Sequence, residues 1–322
     1  MKRLITVVML VVSALWALGA SAQMYPNRPI KLIVADSAGG APDQLGRLLT
    51  EKLSNNVNQP VVVDNRPGAG GALGAELAAK SAPDGYTLLL TTTAIYAILP
   101  NLRKNLPYDP VRDFVPITRI ATASNVLVVN NELPVKDIAE LVKLAKEKPG
   151  ALNYASAGVG TPAHLAGEML NLLADIKVVH LPYKGAAPAL ADVIAGNAQY
   201  IITSPLAAGA HMNGGRVRAL ATTGTQRNPS LPDLATIAET LPGYDITQTW
   251  GIVVPTGTPP EIVNKLSAEI VKVMNQPDVR DKVLATGATP VGDSPAQFEA
   301  FMTKERQRLG DVIAKRGIVL TD

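Results

Sequence analysis

Two glycine-rich segments carry the residues best suited to hold a small ligand. The first reads Asp36-Ser37-Ala38-Gly39-Gly40-Ala41-Pro42-Asp43. Its glycines let backbone N–H groups approach a bound group, and Pro42 suits the first turn of a helix. A helix start leaves N–H groups unpaired and carries partial positive charge, which favours a carboxylate or phosphate. The second reads Ser156-Ala157-Gly158-Val159-Gly160-Thr161-Pro162-Ala163-His164. Here Thr161 is a candidate cap, Pro162 a first helical residue, and Ser156 and Thr161 supply hydroxyls. Read alone, either segment is also an ordinary tight turn from strand to helix. Their pairing in separate halves of the chain points to two anion-friendly helix starts facing one cleft, where small-molecule sites tend to lie.

Other segments offer less. Asn65-Arg66-Pro67-Gly68-Ala69-Gly70-Gly71-Ala72-Leu73-Gly74 lacks the G-x-G-x-x-G spacing, and no acidic residue closes a following strand. A close-packed turn is expected there rather than a dinucleotide site. In His180-Leu181-Pro182-Tyr183-Lys184-Gly185, Lys184 either reaches an anionic ligand or is an exposed turn lysine.

Catalytic patterns are poor. With no cysteine, thiolate nucleophiles, disulfides and sulfur-ligated metals are all excluded. Ser156 lacks the flanking glycines of a nucleophile elbow. The histidines, 164, 180 and 211, form no H-x-x-x-H pair, so a metal site would need long-range assembly. No cofactor and no metal are expected. Carboxylate pairs joined only by folding are invisible at this stage. Trp250 is expected to pack in the core or at a hinge.

Each loop follows a short β-branched run that must position it. The strands expected are Ile30–Val34, Val61–Asp64, Thr87–Thr91, Val126–Val129, Asn153–Ser156, Lys177–His180, Tyr200–Thr203, Val217–Thr222 and Gly251–Val254. Helical stripes lie between them, among them Leu45, Leu48, Leu49 and Leu53, then Ile138, Leu141, Val142 and Ala145. Ile262, Leu266, Ile270 and Val273 form another, and residues 295–315 read as a final surface helix. This alternation predicts an α/β architecture with largely parallel sheets. Ligands of open α/β sheets bind beyond the carboxyl ends of the strands, where both glycine loops stand.

The first 22 residues have Lys2 and Arg3, an apolar run from Leu4 to Leu18 and the small-x-small site Ala20-Ser21-Ala22. This predicts a cleaved secretory signal, residues 1–22, rather than a membrane anchor, and a mature chain in the periplasm. Without Lys2 and Arg3, 28 Lys and Arg face 27 Asp and Glu, and no like-charge run marks a nucleic-acid surface.

The ordered set of motifs resembles a known family, the substrate-binding receptors of tripartite tricarboxylate transporters, also called the Bug family. It runs through Tyr25-Pro26-x-Arg28-Pro29-Ile30, Ala38-Gly39-Gly40-x-x-Asp43, and Gln59 to Gly71. Pro83-Asp84-Gly85-Tyr86-Thr87-Leu88-Leu89, Leu106-Pro107-Tyr108-Asp109-Pro110, Tyr154-Ala155-Ser156 and His164-Leu165-Ala166-Gly167-Glu168 follow. Pro182-Tyr183-Lys184-Gly185, Arg218-Ala219-Leu220-Ala221, Pro242-Gly243-Tyr244 and Pro255-x-Gly257-Thr258-Pro259 complete it.

The resemblance implies a two-lobed, periplasmic-binding-protein-like fold of type II with the ligand cleft between lobes. Crossings are expected near Ala121–Asn125 and Ile246–Trp250. One lobe then joins residues 23–122 and 249–322, and the other holds 123–248. It nominates Ala38, Gly39, Gly40 and Asp43 on one side of the ligand, and Ser156, Gly158, Gly160, Thr161 and His164 on the other. The chain departs from the family pattern at Asp36-Ser37 and at Thr203-Ser204-Pro205, so Asp36, Ser37, Thr203 and Ser204 join the candidate set, as does Lys184 for its reach towards an anion. A carboxylate beside an anion site repels a carboxylate ligand at close range. Asp36 is therefore expected to point away or to meet a ligand amine, amide or hydroxyl.

The function implied is capture of a small organic acid, amide or amino-acid-like solute, and its delivery to membrane transporter subunits. A monomer with no nucleic-acid partner is expected. A sensing receptor and an exported enzyme on the same scaffold are the alternatives.

Overall fold

The structure is a computed structural model that describes residues 25–36, 38–183 and 185–318. The expected signal segment, Ser37 and Lys184 therefore lie outside the described residues.

The chain opens with β1 (Ile30–Val34), α1 (Ala41–Val57), β2 (Val61–Asn65), α2 (Ala72–Ala79), β3 (Thr87–Thr92), α3 (Leu99–Leu102) and β4 (Phe114–Ser124). It then builds β5 (Val126–Asn130), α4 (Ile138–Glu147), β6 (Asn153–Ser156), α5 (Pro162–Ala174), β7 (Val179–Pro182), α6 (Ala186–Ile194), β8 (Tyr200–Thr203), α7 (Pro205–Asn213), β9 (Val217–Thr222) and α8 (Ile237–Thr240). The last elements are β10 (Thr247–Pro255), α9 (Pro260–Met274), α10 (Pro277–Ala285), β11 (Thr289–Pro290) and α11 (Pro295–Arg316). These strands make two sheets, ordered β11-β4-β10-β3-β1-β2 and β7-β6-β8-β5-β9. The chain leaves the first sheet at Asn125 and rejoins it at Thr247.

The sheets are mixed rather than largely parallel. β1 runs parallel to β2 and β3, and β6 to β7 and β8, as strand–helix alternation requires. The strands beside each crossing reverse this. β10 is antiparallel to β3 and β4, and β5 to β8 and β9. At the first crossing the chain passes straight from β4 into β5, with no intervening helix, and so enters the second sheet from the opposite end.

β4 has no counterpart among the expected strands. Pro116 cannot donate a ladder hydrogen bond and reads as a strand breaker. The structure accommodates it at a register shift: Ile252 faces Thr118, while the next residue, Val253, faces Pro116. β7 starts two residues later than expected, at Val179.

Three apolar cores explain the apolar runs. In β1, Ile30, Leu32 and Val34 point into a core under α1, α9 and α10, while Ile33 points into another on the opposite face. A strand buried on both faces has no polar face to alternate with. In α1, Leu45, Leu49 and Leu53 recur every four residues on the buried face. Fully burying each such leucine contributes roughly 1.5–3 kcal/mol. A third core, with Val128, Ala155, Leu190 and Ile201, lies under α6 and α7.

The core containing Ile33 belongs to both sheets. It joins Leu89 of the first, and Tyr96 of the helical segment after β3, to Leu127, Tyr154 and Tyr200 of the second, through Phe298, Met302, Leu309 and Ile313 of α11. That helix begins at a capping box made by Ser294 and Gln297, and ends at Gly317 in the left-handed conformation. Its charged residues reach across as well. Arg308 bonds the backbone oxygen of Asp245, and Arg316 Nε lies 2.8 Å from Glu168 Oε2 on α5. The final helix is thus a tie between sheets, not only a surface helix. Elsewhere, Asn228 Nδ2 donates to Ser124 Oγ at 3.1 Å and to the Gly287 oxygen at 3.4 Å.

Candidate functional site

A cavity of about 240 Å³ lies between the two sheets. Asp36 and the first turn of α1 (Pro42, Gln44, Leu45) form one wall. Ser204 and Pro205, at the start of α7, form the wall contributed by the second sheet. Ala123, Asn125, Gln248 and Trp250 of the crossing segments close its back, and Thr286, Gly287 and Ala288 its side. Two helix starts, one from each sheet, therefore abut one concavity. Each brings the partial positive charge of a helix start.

The loop before α1 is held from within. The Asp43 carboxylate accepts Gly39 N–H at 2.8 Å, Arg47 Nε at 2.9 Å and Asn65 Nδ2 at 2.9 Å. Burial alone would raise its pKa. The bond from Arg47, with those from Gly39 and Asn65, outweighs burial and holds the carboxyl below its usual range. Gln44 donates to the Gly39 oxygen at 2.9 Å, and Gly39 takes φ +85°, a conformation that favours glycine. Asp43 thus shapes the loop, and its oxygens are turned to the protein. Ala38, Gly39 and Gly40 belong to the same loop but do not line the cavity, whereas Asp36 does. On the other wall, Ser204 Oγ accepts Ala207 N–H at 3.2 Å and caps α7, one residue after buried Thr203.

The loop after β6 is built as the sequence suggests, yet it stands apart from this cavity. Thr161 caps α5, accepting His164 N–H at 3.3 Å and donating to the Gly158 oxygen at 2.8 Å. Gly158 and Gly160 both take positive φ. Ser156 Oγ lies 2.6 Å from His180 Nε2 and accepts Gly158 N–H at 3.1 Å. His164 accepts Gly160 N–H at Nδ1 and stacks on His180 with ring centres 4.1 Å apart. Their hydroxyl and imidazole groups are largely spent on the loop itself. Of the candidate residues, the structure gathers Asp36 and Ser204 at the cavity, and Ser156, Gly158, Gly160, Thr161 and His164 in a second cluster.

His180, which is outside the candidate set, belongs to this second cluster. It is stacked between His164 and Tyr154, whose OH donates to Glu168 Oε1 at 2.8 Å. Burial, with His164 beside it, lowers the His180 pKa to about 4, so the ring is neutral at pH 7. Parallel register places Tyr154 opposite His180, a pairing no local motif reveals. The Ser156–His180 contact has the form of a nucleophile and its base. However, Ser156 is fully buried, and no carboxylate is hydrogen-bonded to His180 among the described residues. Gln248 and Trp250 carried a usable signal, since residues of a crossing segment necessarily lie beside an interlobe cleft. Thr286 to Ala288 carried none. Among the described residues, no group of three His, Asp or Glu is placed to hold a metal. Nor is any described helix long and apolar enough to cross a membrane.

Comparison with known proteins places this architecture. The chain is 38% identical to the "UPF0065 protein in tcbD-tcbE intergenic region" of Pseudomonas sp. (strain P51), over 90% of this chain and 87% of that one. It is 35% identical to protein BugT of Bordetella pertussis, over 99% of both chains. Among solved structures, that of R. palustris Rpa4515 with adipate superposes with a TM-score of 0.81 at 34% identity, covering 92% of this chain and 99% of that one. Residues 45–318 match the family described as "Tripartite tricarboxylate transporter family receptor", and the chain belongs to that family of two-lobed solute-binding receptors.

Proposed function

We propose that this receptor works in the periplasm after loss of residues 1–22, capturing a small organic acid between its lobes and delivering it unchanged to membrane transporter subunits. The observation that carries the reading is the cavity between the sheets, with the starts of α1 and α7 on opposite walls. A carboxylate there would meet N–H groups from either side. The apolar surfaces of Leu45, Trp250 and Ala288 suit the body of such a ligand. The lobes of this reading are 23–122 with 249–322, and 123–248. Ligand touching both would favour their closed arrangement. Asp36 in the wall selects ligands that also carry an amine, amide or hydroxyl. On closure the loop of Ser156, Gly158, Gly160, Thr161 and His164 would complete the far wall. In this reading the protein acts as a monomer and releases its ligand unchanged; Ser156 is buried, and among the described residues no carboxylate is hydrogen-bonded to His180.

The chain has two tryptophans, Trp16 and Trp250, so mature protein keeps only Trp250, in the cavity wall. Its fluorescence should report ligand directly. Mature protein, freed of co-purified solute, would be titrated with di- and tricarboxylates, aromatic acids, amino acids and amides. A saturable, one-to-one response to an acid supports the reading. The same ligand at a hundred times its Kd should add about 2.7 kcal/mol to stability. Silence across the panel, or recovery of altered solute, would refute it.

A further inference from the structure

A second concavity, sharing no residue with the interlobe cavity, lies on the flank of the first lobe. It measures about 510 Å³ and is bounded by the segment after α3 and by Arg306 of α11. The segment contains Leu106-Pro107-Tyr108-Asp109-Pro110, a motif with no part in the ligand cavity. It is rigidly set. Tyr108 OH donates to the Ile95 oxygen at 2.7 Å, and Asp109 Oδ1 accepts Val111 and Arg112 N–H at 2.8 and 3.1 Å. Thr256 Oγ1 holds the Arg112 oxygen at 2.7 Å.

Four cations, Arg103, Lys104, Arg112 and Arg306, converge on this groove against the single carboxylate of Asp109. Only Arg112 is paired, with Asp113 at 2.8 Å. Arg103, Lys104 and Arg306 have no ion pair among the described residues, and Arg103 Nε is buried without a hydrogen-bond partner. Between the cations stand apolar surfaces: Leu106, Pro107, Pro110 and Val111, the last 60% exposed. A rigid, basic, partly apolar groove on a chain of nearly balanced charge is complementary to an acidic segment with interspersed apolar residues.

We propose that this groove is the docking surface for an acidic, partly apolar segment of the receptor's membrane partner, an inference that rests on the delivery function above. One wall belongs to α11, the helix that ties the two sheets together. A segment seated here would touch the helix that packs against both sheets, while leaving the ligand cavity free.

The test uses mature protein and a fluorescently labelled octapeptide alternating aspartate and leucine, read by anisotropy at low and at 0.3 M salt. Binding is expected at low salt, weakened several-fold at high salt. The Lys104→Glu/Arg306→Glu variant should lose at least tenfold in affinity while its Trp250 response to ligand is unchanged. Lys104→Gln/Arg306→Gln, which keeps side-chain bulk, should lose about threefold and serves if charge reversal disturbs folding. The proposal is overturned if the peptide does not bind, or binds both variants as well as the parent. It is equally overturned if vesicles containing phosphatidylglycerol show the variant-sensitive binding and the peptide does not. Peptide binding without any Trp250 response would instead count against the ligand reading alone.

Discussion

Gly167 on α5 faces the ring of Tyr154, and replacing it with alanine should disturb both the core and the loop after β6. A Cβ at residue 167 would stand 2.3 Å from Cε2 and 2.4 Å from Cζ of Tyr154. Carbon atoms pack at about 3.5–4.0 Å, so the ring must retreat by more than ~1 Å. It has no free direction, being fully buried with centroids 4.8 Å from His180 and 5.6 Å from Tyr200. Overpacking of this kind costs about 1–3 kcal/mol. Loss of the hydrogen bond from Tyr154 to the Glu168 carboxylate adds roughly 1.5–3 kcal/mol. The better helix propensity of alanine returns about 1 kcal/mol. The net loss is about 2–5 kcal/mol. With an unfolding entropy of roughly 0.6 kcal/mol per degree for a chain this long, Tm should fall by about 3–8 °C. Gly209→Ala on α7 is the matched control: nothing lies within 4 Å of the new Cβ. It should raise Tm by about 1 °C. Scanning calorimetry of both variants decides the matter. A Gly167→Ala protein melting at or above the parent would refute the packing argument.

Three further outcomes are expected. The unfolded chain takes a proton on a histidine near pH 6.5, whereas native His180 waits until about pH 4. Stability is therefore whole above pH 6.5 and declines as pH falls towards 4, by less than about 1.4 kcal/mol per pH unit because the ring is partly exposed. His180→Gln should flatten that decline in pH-resolved denaturant melts; an unchanged slope would show that His180 is not the titrating group. Arg316→Ala leaves the Glu168 carboxylate with only Tyr154 and should cost about 1–3 kcal/mol, less in a Glu168→Gln background. Equal costs in the two backgrounds would mean that the ion pair contributes nothing. Asp43→Asn should cost about 1–2 kcal/mol and speed hydrogen exchange at Gly39, whose N–H it anchors. Because the native Asp43 pKa is depressed, its contribution persists above the usual carboxylate range and is lost only as pH falls below it.

Local signals in the sequence reached some of this molecule and stopped at others. β1, β6, β8 and β9 have the bounds expected of them; in β8, all four of whose residues are buried, burial on both faces leaves a nearly unbroken apolar signature. Thr161 and Pro162 announced the start of α5 through capping chemistry that depends only on neighbours. β4 was hidden because Pro116 breaks a simple pattern, and its cure, a register shift against β10, lies more than a hundred residues away. The site divides in the same way. Asp36 and Ser204 were legible as loop residues at strand ends. The stacking of His180 under the Ser156 loop, and the approach of Gly287 to Pro205, follow from tertiary register alone.

The shared core beneath α11 bears on how such receptors can be recombined. Residues 126–246 look like an exchangeable cassette, since both of its ends are single passages of chain. Exchange would nevertheless break what is not covalent. Leu309, Val312 and Ile313 would face an unfamiliar α5, and Arg316 would need a new carboxylate in place of Glu168. A chimera should therefore fold only when α11 and the cassette are taken from the same parent, so that the end of the chain and its middle are inherited as one module.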